Sequence, residues 1–213
     1  MEPLFRQLVV GLVPQPTQIP PAPFAREDLQ RAFFDVTREH PYQQFAFLPG
    51  DSGAEFANSV EDGVAVQPAL IQVRTPVDLT PERAREKAID VVRVLRKRLA
   101  IASFLLCGIK VVAHVPAPGE ARTFVAERLM REAERIEELG PHYFAGGLKY
   151  RSLEDEGLVE GVLLVEPLIQ DDKLIFIDYD IQRRTPSDGS QLGEWIDDAF
   201  AFVRGPAIQL LKG

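Results

Sequence analysis

The sequence has little of what defines several common classes of protein. Among its 213 residues there is one cysteine, Cys107, so no intrachain disulfide can form and we expect a reducing, cytoplasmic setting. The apolar stretch at residues 8–13 is far shorter than the roughly 20 residues of a membrane span. It also lacks the basic flank and cleavage site of a signal peptide. We therefore expect a soluble globular protein that does not contact a membrane.

Positive charge is also in short supply. Lysine and arginine together number 24 against 32 aspartate and glutamate residues, which gives a net charge of −8. Binding to a phosphate backbone depends on clustered basic side chains, so we do not expect a nucleic-acid partner. Hydrophobic residues make up 46% of the chain, which is enough to bury a full core.

Motifs for common chemistries are missing as well. The sequence contains no phosphate loop, dinucleotide fingerprint, zinc-protease helix or nucleophile elbow. The three histidines, His40, His114 and His142, lack the spacing of a metal site. The string "GDSG" at 50–53 is similar to the nucleophile motif of chymotrypsin-like proteases, but His40 is the one histidine upstream, so we interpret Ser52 as part of a turn. We expect no cofactor, no metal and no catalytic residue.

Hydrophobic periodicity indicates alternating strands and helices. Strands are predicted over 4–13, 43–48, 54–60, 63–74, 104–118, 143–152, 158–169 and 173–183, and helices over 25–39, 81–100, 121–140 and 190–210. The second helix has the strongest signals, since Thr80 suits the N-cap and Pro81 the first helical position. Gly205-Pro206 is expected to kink or divide the last helix.

The predicted order reads β-α-β-β-β-α twice. "VVGLVPQP" (9–16) matches "VVAHVPAP" (111–118), "FAREDLQR" (24–31) matches "FVAERLMR" (124–131), and "LIQV" (70–73) matches "LIFI" (174–177). We therefore predict an α+β fold made of two internally duplicated units, 1–102 and 103–213, within one pseudo-symmetric domain. The units are expected to form a curved, mainly antiparallel sheet with helices packed on one face.

The open face of that sheet supplies the first candidate binding residues. In the strand "LIFIDYDIQRR" (174–184), Asp178 and Asp180 point away from the helix-facing Ile177 and Tyr179. "GLKYR" (147–151) is expected to bring Lys149 and Arg151 across from the two aspartates. Lys110 and His114 are placed on the same face, with Phe104 and Leu106. Surface ion pairs are the favoured interpretation, because a metal needs further oxygen ligands.

The second candidate is the basic end of the helix at 81–100. Arg93, Arg96 and Lys97 could bind nucleic acid or an acidic protein partner. The structural alternative is that basic residues near a helix C-terminus stabilise its dipole.

The segment "LIFIDYDIQRR" followed by "GEWIDDAFAFVRGPAIQLL" resembles a sporadically distributed bacterial family of uncharacterised proteins, chiefly over 174–211. In that family a strand ending in Asp-x-Asp leads to a helix and an aromatic-containing tail. The family's "GLRY" strand appears here only as "CGIKVVA" or "GGLKYR". The resemblance implies a bacterial accessory protein and no known activity.

Two hypotheses about function follow. The first is a non-enzymatic protein-binding or assembly module that presents its open sheet face, or a sheet edge, to a protein partner or to itself as a homo-oligomer. The alternative is a small-molecule-binding protein or hydrolase with a pocket between the curved sheet and the long helix.

Overall fold

Strands and helices make up most of the computed structural model, which describes residues 1–77, 80–129 and 147–212. The strands are β1 (Leu4–Pro14), β2 (Gln44–Phe47), β3 (Ala54–Ala57), β4 (Gly63–Val66), β5 (Ile71–Pro76), β6 (Phe104–Pro116), β7 (Leu148–Glu154), β8 (Val159–Pro167) and β9 (Leu174–Arg183). The α-helices are α1 (Arg26–Glu39), α2 (Pro81–Arg98), α3 (Ala121–Leu129), α4 (Leu192–Phe202) and α5 (Ile208–Lys212).

The nine strands form one antiparallel sheet in the order β2-β3-β4-β5-β1-β6-β9-β8-β7. The central pair, β1 and β6, joins the two halves of the chain through a long register from Leu4–His114 to Pro14–Phe104. On either side of this pair the strands follow in reverse chain order, with β5, β4, β3 and β2 beside β1, and β9, β8 and β7 beside β6. The predicted mixed fold with an antiparallel sheet is thus confirmed.

Within the part of the chain that the structure describes, the first half has five strands and the second half has four. The predicted strand at 63–74 is two strands, β4 and β5, because residues 67–70 form a tight turn closed by backbone hydrogen bonds between Gln67 and Leu70. The first half therefore has four strands between its two helices where the prediction had three.

The predicted match between 9–16 and 111–118 is wrong as a structural equivalence. Val10 is fully buried, whereas its counterpart Val112 lies on the half-exposed side of β6. In the interior of β1 the buried residues have even numbers, whereas in the interior of β6 they have odd numbers. A shift of 102 residues pairs even numbers with even numbers, so it sets buried residues of β1 against half-exposed residues of β6. The match between 70–73 and 174–177 does keep buried residues on buried residues, as Ile71 and Ile175 show.

The helices cover one side of the sheet. Val10 pairs with Val73, Leu8 with Val111, and Val165 with Ile177, so fully buried side chains continue from strand to strand across this face. Helix α2 packs on β1 and β5, α4 on β6, and α3 on β8 and β9. Aliphatic burial on this side is the dominant stabilising term of the fold.

Local signals behave as the sequence predicts in two helices. Thr80 is extended and accepts a hydrogen bond from the backbone N–H of Arg83, so it caps α2, and Pro81 occupies the first helical position. The last helix is divided by a π-helical turn, Val203–Ala207, which contains Pro206. Of the predicted helix at 121–140, residues 121–129 are helical, and the remainder lies outside the described residues, as does His142.

The residues singled out for chemistry have structural roles. Ser52 donates from its hydroxyl to the carbonyl of Pro49 at 2.9 Å, within a 3-10 turn that links β2 and β3. This confirms the predicted turn at 50–53. Cys107 is buried on the helix side, and burial raises the pKa of its thiol to about 12. A thiol with such a pKa is a poor nucleophile at neutral pH.

Candidate functional site

The side of the sheet that faces away from the helices is the open face. Its part on β6, β9, β8 and β7 is the second-half open face, and it holds all six residues predicted there: Lys110, His114, Lys149, Arg151, Asp178 and Asp180. Phe104 was placed on this face incorrectly. Leu105 falls at a register shift between β1 and β6, so Phe104 turns to the helix side and is buried.

Lys110 and Asp178 form the central ion pair of the second-half open face. The ammonium Nζ of Lys110 lies 2.6 Å from Oδ2 of Asp178. In the strand register Lys110 is opposite Asp180, so the lysine reaches diagonally to Asp178. Burial raises the pKa of Asp180 above its ordinary value; the charge of Asp178 adds to this effect and that of Lys110 opposes it. Asp178 is therefore paired with a cation, while burial disfavours the ionised form of Asp180.

Glu160 on β8 holds a second charge cluster that the sequence reading missed. Its carboxylate lies 2.8 Å from Nε of Arg151 and 2.9 Å from Nη2 of Arg184. The hydrogen bond from Arg151, with the two positive charges, lowers the pKa of Glu160. A signal was present in the sequence, since Glu160 and Arg151 fall on the same face of neighbouring strands.

The sequence predicted that Lys149 and Arg151 lie across from Asp178 and Asp180, and this prediction is wrong. Strand β8 separates β7 from β9, and it places Leu164 opposite Lys149 and Val162 opposite Arg151. The prediction was wrong because strand order cannot be derived from the spacing of strands along the chain.

His114 lies on the open face beside Phe176, with ring centroids 6.2 Å apart. Burial lowers the pKa of the imidazole, and the positive charge of Arg6 lowers it further, against a smaller opposite effect of Asp171. At neutral pH His114 is therefore uncharged and contributes a partly apolar surface.

Apolar side chains are interspersed with these charges. Val112, Val162, Leu164 and Phe176 all face away from the helices and are partly exposed. Register connects them, because Asp178 lies between Val112 and Leu164, and Asp180 between Lys110 and Val162. The arrangement offers neutralised charges and apolar surface together, which suits contact with another chain.

The basic residues of α2 lie elsewhere, on the helix side. Arg93, Arg96 and Lys97 line one cavity of about 470 Å³, between α2 and the turn at 188–190 that precedes α4. Arg93 is 2.5 Å from Asp90, and Arg96 donates to the carbonyls of Ile101 and Ala102. This cavity borders the long helix, but its opposite wall is the turn and not the sheet.

Glu39, His40 and Asp90 place possible metal-ligand atoms within 4.8 Å of one another. His40 Nε2 lies 3.3 Å from Oδ2 of Asp90, and the guanidinium of Arg93 is 2.5 Å from Asp90 and 3.9 Å from Glu39. Arg93 supplies the positive charge that these carboxylates require, so the group is accounted for as an ion-pair cluster that joins α1 to α2.

Among the described residues, no helix is both long and apolar enough to cross a membrane.

The described residues form a mixed α and β protein in which helices cover one side of an antiparallel sheet. No protein-family model matches the chain, and no curated protein matches it. Among solved structures, that of a rolling circle replication initiator protein from Geobacillus stearothermophilus aligns with 92% of this chain and 79% of that chain, at 11% identity and a TM-score of 0.29. A likeness of this size supports no inference about fold, partner or activity.

Proposed function

We propose that this chain is a non-enzymatic assembly module that binds a second copy of itself through the second-half open face. The observation that carries the proposal is the group of partly exposed apolar side chains on β6, β8 and β9, set among paired charges on the uncovered side of the sheet. Interfaces between copies of a chain combine an apolar centre with charges that are neutralised or lie at the rim.

Charge balance favours a second copy as the occupant. Among the described residues, nine charged side chains are placed on the open face by strand register: Arg74, Lys110, Lys149 and Arg151 against Glu55, Asp178, Asp180, Glu160 and Glu166. These nine groups leave a net charge of −1, whereas the whole chain carries −8. Two copies that meet through this face avoid the repulsion that their remaining surfaces impose on each other.

The two-fold symmetry of most homodimers also suits this surface. Strand register places Lys110, Asp180, Val162 and Arg151 in one row across the face. Exposed Arg151 lies at one end of this row, and Asp180 lies inside it. A two-fold operation can therefore set positive groups of one copy against negative groups of the other.

Light scattering coupled to size-exclusion chromatography tests the proposal. We expect the purified wild-type protein to be a dimer, and Leu164→Glu and Val162→Lys each to shift it to a monomer. The two variants introduce opposite charges. If both lose the dimer, the cause is disruption of this surface and not the sign of the added charge. Gln44→Glu, at the far border of the open face in the first half, should leave the dimer intact.

Circular dichroism and thermal unfolding establish that each variant is folded. A monomeric wild-type protein at all concentrations tested contradicts the proposal. So does a dimer that survives both substitutions. A complex with an unrelated protein in place of a dimer likewise overturns the choice of a second copy.

Internal duplication also stays a proposal, with a corrected register. The pair Val9–Arg74 on β1 and β5 corresponds to Val112–Asp178 on β6 and β9 when the first strand shifts by 103 residues and the second by 104. This shift keeps buried residues on buried residues, as in Val10 and Ala113. Superposition of residues 4–14 with 71–76 onto 107–117 with 175–180 tests the relation.

A further inference from the structure

The cavity beside α2 lies on the helix side, and the proposed assembly role does not use it. Its volume of about 470 Å³ falls within the range of pockets that hold small organic molecules. Ile89, Val92 and Leu192 supply apolar surface, and Val92 and Leu192 are themselves buried. An apolar group placed in this cavity would therefore lose contact with water.

Charge at the rim is opposite in sign to the charge of the chain. The eleven lining residues include three cations, Arg93, Arg96 and Lys97, and a single anion, Asp188. Arg93 is already paired with Asp90, at 2.5 Å, so Arg96 and Lys97 supply the local excess of positive charge. The chain as a whole carries −8. A local excess of positive charge on an acidic protein creates a field that attracts anions to this place and repels them elsewhere.

Arg96 is held in position by the backbone that follows α2. Nε of Arg96 donates to the carbonyl of Ile101 at 3.3 Å, and Nη2 donates to that of Ala102 at 3.2 Å. The contact between Nη1 of Arg96 and Asp188 is longer, at 3.5 Å, and both side chains are more than a third exposed. The guanidinium is thus fixed in orientation while its charge is only weakly neutralised.

We propose that this cavity binds a small organic anion that joins an apolar body to one carboxylate, phosphate or sulfonate group. The apolar body packs against Val92 and Leu192, and the anionic group meets Lys97 and Arg96 at the rim. The proposal is independent of the open face, because the cavity lies on the opposite side of the sheet.

Fluorescence titration of the full chain with 8-anilinonaphthalene-1-sulfonate is the test. This probe carries a sulfonate on an aromatic body, and N-phenyl-1-naphthylamine is its uncharged analogue. We expect one binding site per chain for the sulfonate and weaker binding of the uncharged analogue. Lys97→Gln should weaken sulfonate binding by about threefold to tenfold, as expected for one partly exposed charge. It should leave the analogue unchanged.

Two further variants locate the site. Ser190→Phe fills the mouth of the cavity and should abolish binding of both molecules. Arg83→Gln removes the same charge from the first turn of the same helix, away from the cavity, and should leave both affinities as in the wild type. Thermal unfolding of each variant shows whether the fold is intact.

Competition experiments show which class of anionic compound the cavity binds. Displacement of the probe by decanoate supports a fatty carboxylate ligand, and displacement by 1-naphthyl phosphate supports an aryl phosphate. The proposal is overturned if neither compound competes, if the probe does not bind, or if Lys97→Gln and Ser190→Phe bind as tightly as Arg83→Gln.

Discussion

The two halves of the sheet share their strand order outward from β1 and β6, and both bury large side chains on the helix side, yet their open faces differ. In the first half, Phe33, Phe45 and Phe56 form an aromatic cluster on the helix side, with centroids 5.1–5.7 Å apart. Its open face carries mainly small or uncharged residues: Gln44, Ala46, Ala57, Gly63, Ala65 and Gln72. In the second half the open face carries the larger apolar and charged residues.

This difference indicates a division of roles within one sheet. Aromatic residues packed under α1 contribute to stability in the first half. In the second half Val162, Leu164 and Phe176 remain partly exposed to water, which gains nothing for the isolated chain. Surface of this kind is stabilising only when it is covered by a partner.

The largest expected effect comes from removing a ring of the first-half cluster. Phe56 is fully buried, so Phe56→Ala should lower the free energy of unfolding by about 3–5 kcal/mol. Phe34→Ala is the control, because that side chain is 63% exposed and should cost about 0.5 kcal/mol or less. Urea unfolding at one protein concentration measures both, and equal losses would contradict the assignment of the core.

Helix capping gives the next comparison. The side chain of Thr80 caps α2, whereas Gln191 precedes α4 without a side-chain cap. Thr80→Ala should therefore destabilise the protein by about 1 kcal/mol. Gln191→Ala should change stability little. A larger loss for Gln191→Ala in the same unfolding experiment would show that the two helix starts have been interpreted the wrong way round.

One ion pair on each half of the open face allows a matched test. Lys110–Asp178 and Arg74–Glu55 both join N and O atoms 2.6 Å apart, and one member of each pair is more than a third exposed. Double-mutant cycles with Lys110→Met and Asp178→Asn, and with Arg74→Met and Glu55→Gln, should give coupling energies of about 0.5 kcal/mol in the monomer.

Protein concentration should then separate the two pairs. Above the association concentration the coupling of Lys110 with Asp178 should increase, because the partner copy excludes water from that pair. The coupling of Arg74 with Glu55 should stay constant. The division of roles fails if both coupling energies respond equally to concentration.

The smallest expected effect is a dependence of stability on pH. Because burial lowers the pKa of His114 in the folded protein, protonation favours the unfolded chain. The contribution of uncharged His114 to the free energy of unfolding is complete above the ordinary histidine pKa of about 6.5 and is lost as pH falls below that value. The free energy of unfolding should therefore fall more steeply between pH 7.5 and 5.5 for the wild type than for His114→Gln. Parallel curves would show that this imidazole is not perturbed.

Much of the fold could be predicted from the sequence because local signals are strong. Alternation of apolar residues located β6 and β9, and Thr80-Pro81 located the start of α2. The division of 63–74 into two strands was missed, since "AVQPALIQV" contains no glycine and only Pro68 marks its turn. The residue match at 9–16 failed because shared valines carry no information about which side of a strand is buried.

The candidate site was predictable in its residues and not in its pairings. Period-two alternation placed Lys110, Asp178 and Asp180 on the correct face. It could not show that β8 separates β7 from β9, so the partners assigned to Asp178 and Asp180 were wrong. Glu160 was missed because its cluster joins Arg151 on β7 to Arg184 after β9, and that grouping depends on strand order. Partners across a sheet depend on strand order, which is a property of the whole fold.

Hydroxyl-radical footprinting at protein concentrations below and above association tests the central claim most directly. Oxidation of Phe176 and Leu164, read by mass spectrometry, should fall as concentration rises, while oxidation of exposed Phe34 on α1 stays constant. The account is contradicted if Phe176 and Leu164 are oxidised equally at both concentrations, or if Phe34 is the residue that becomes protected.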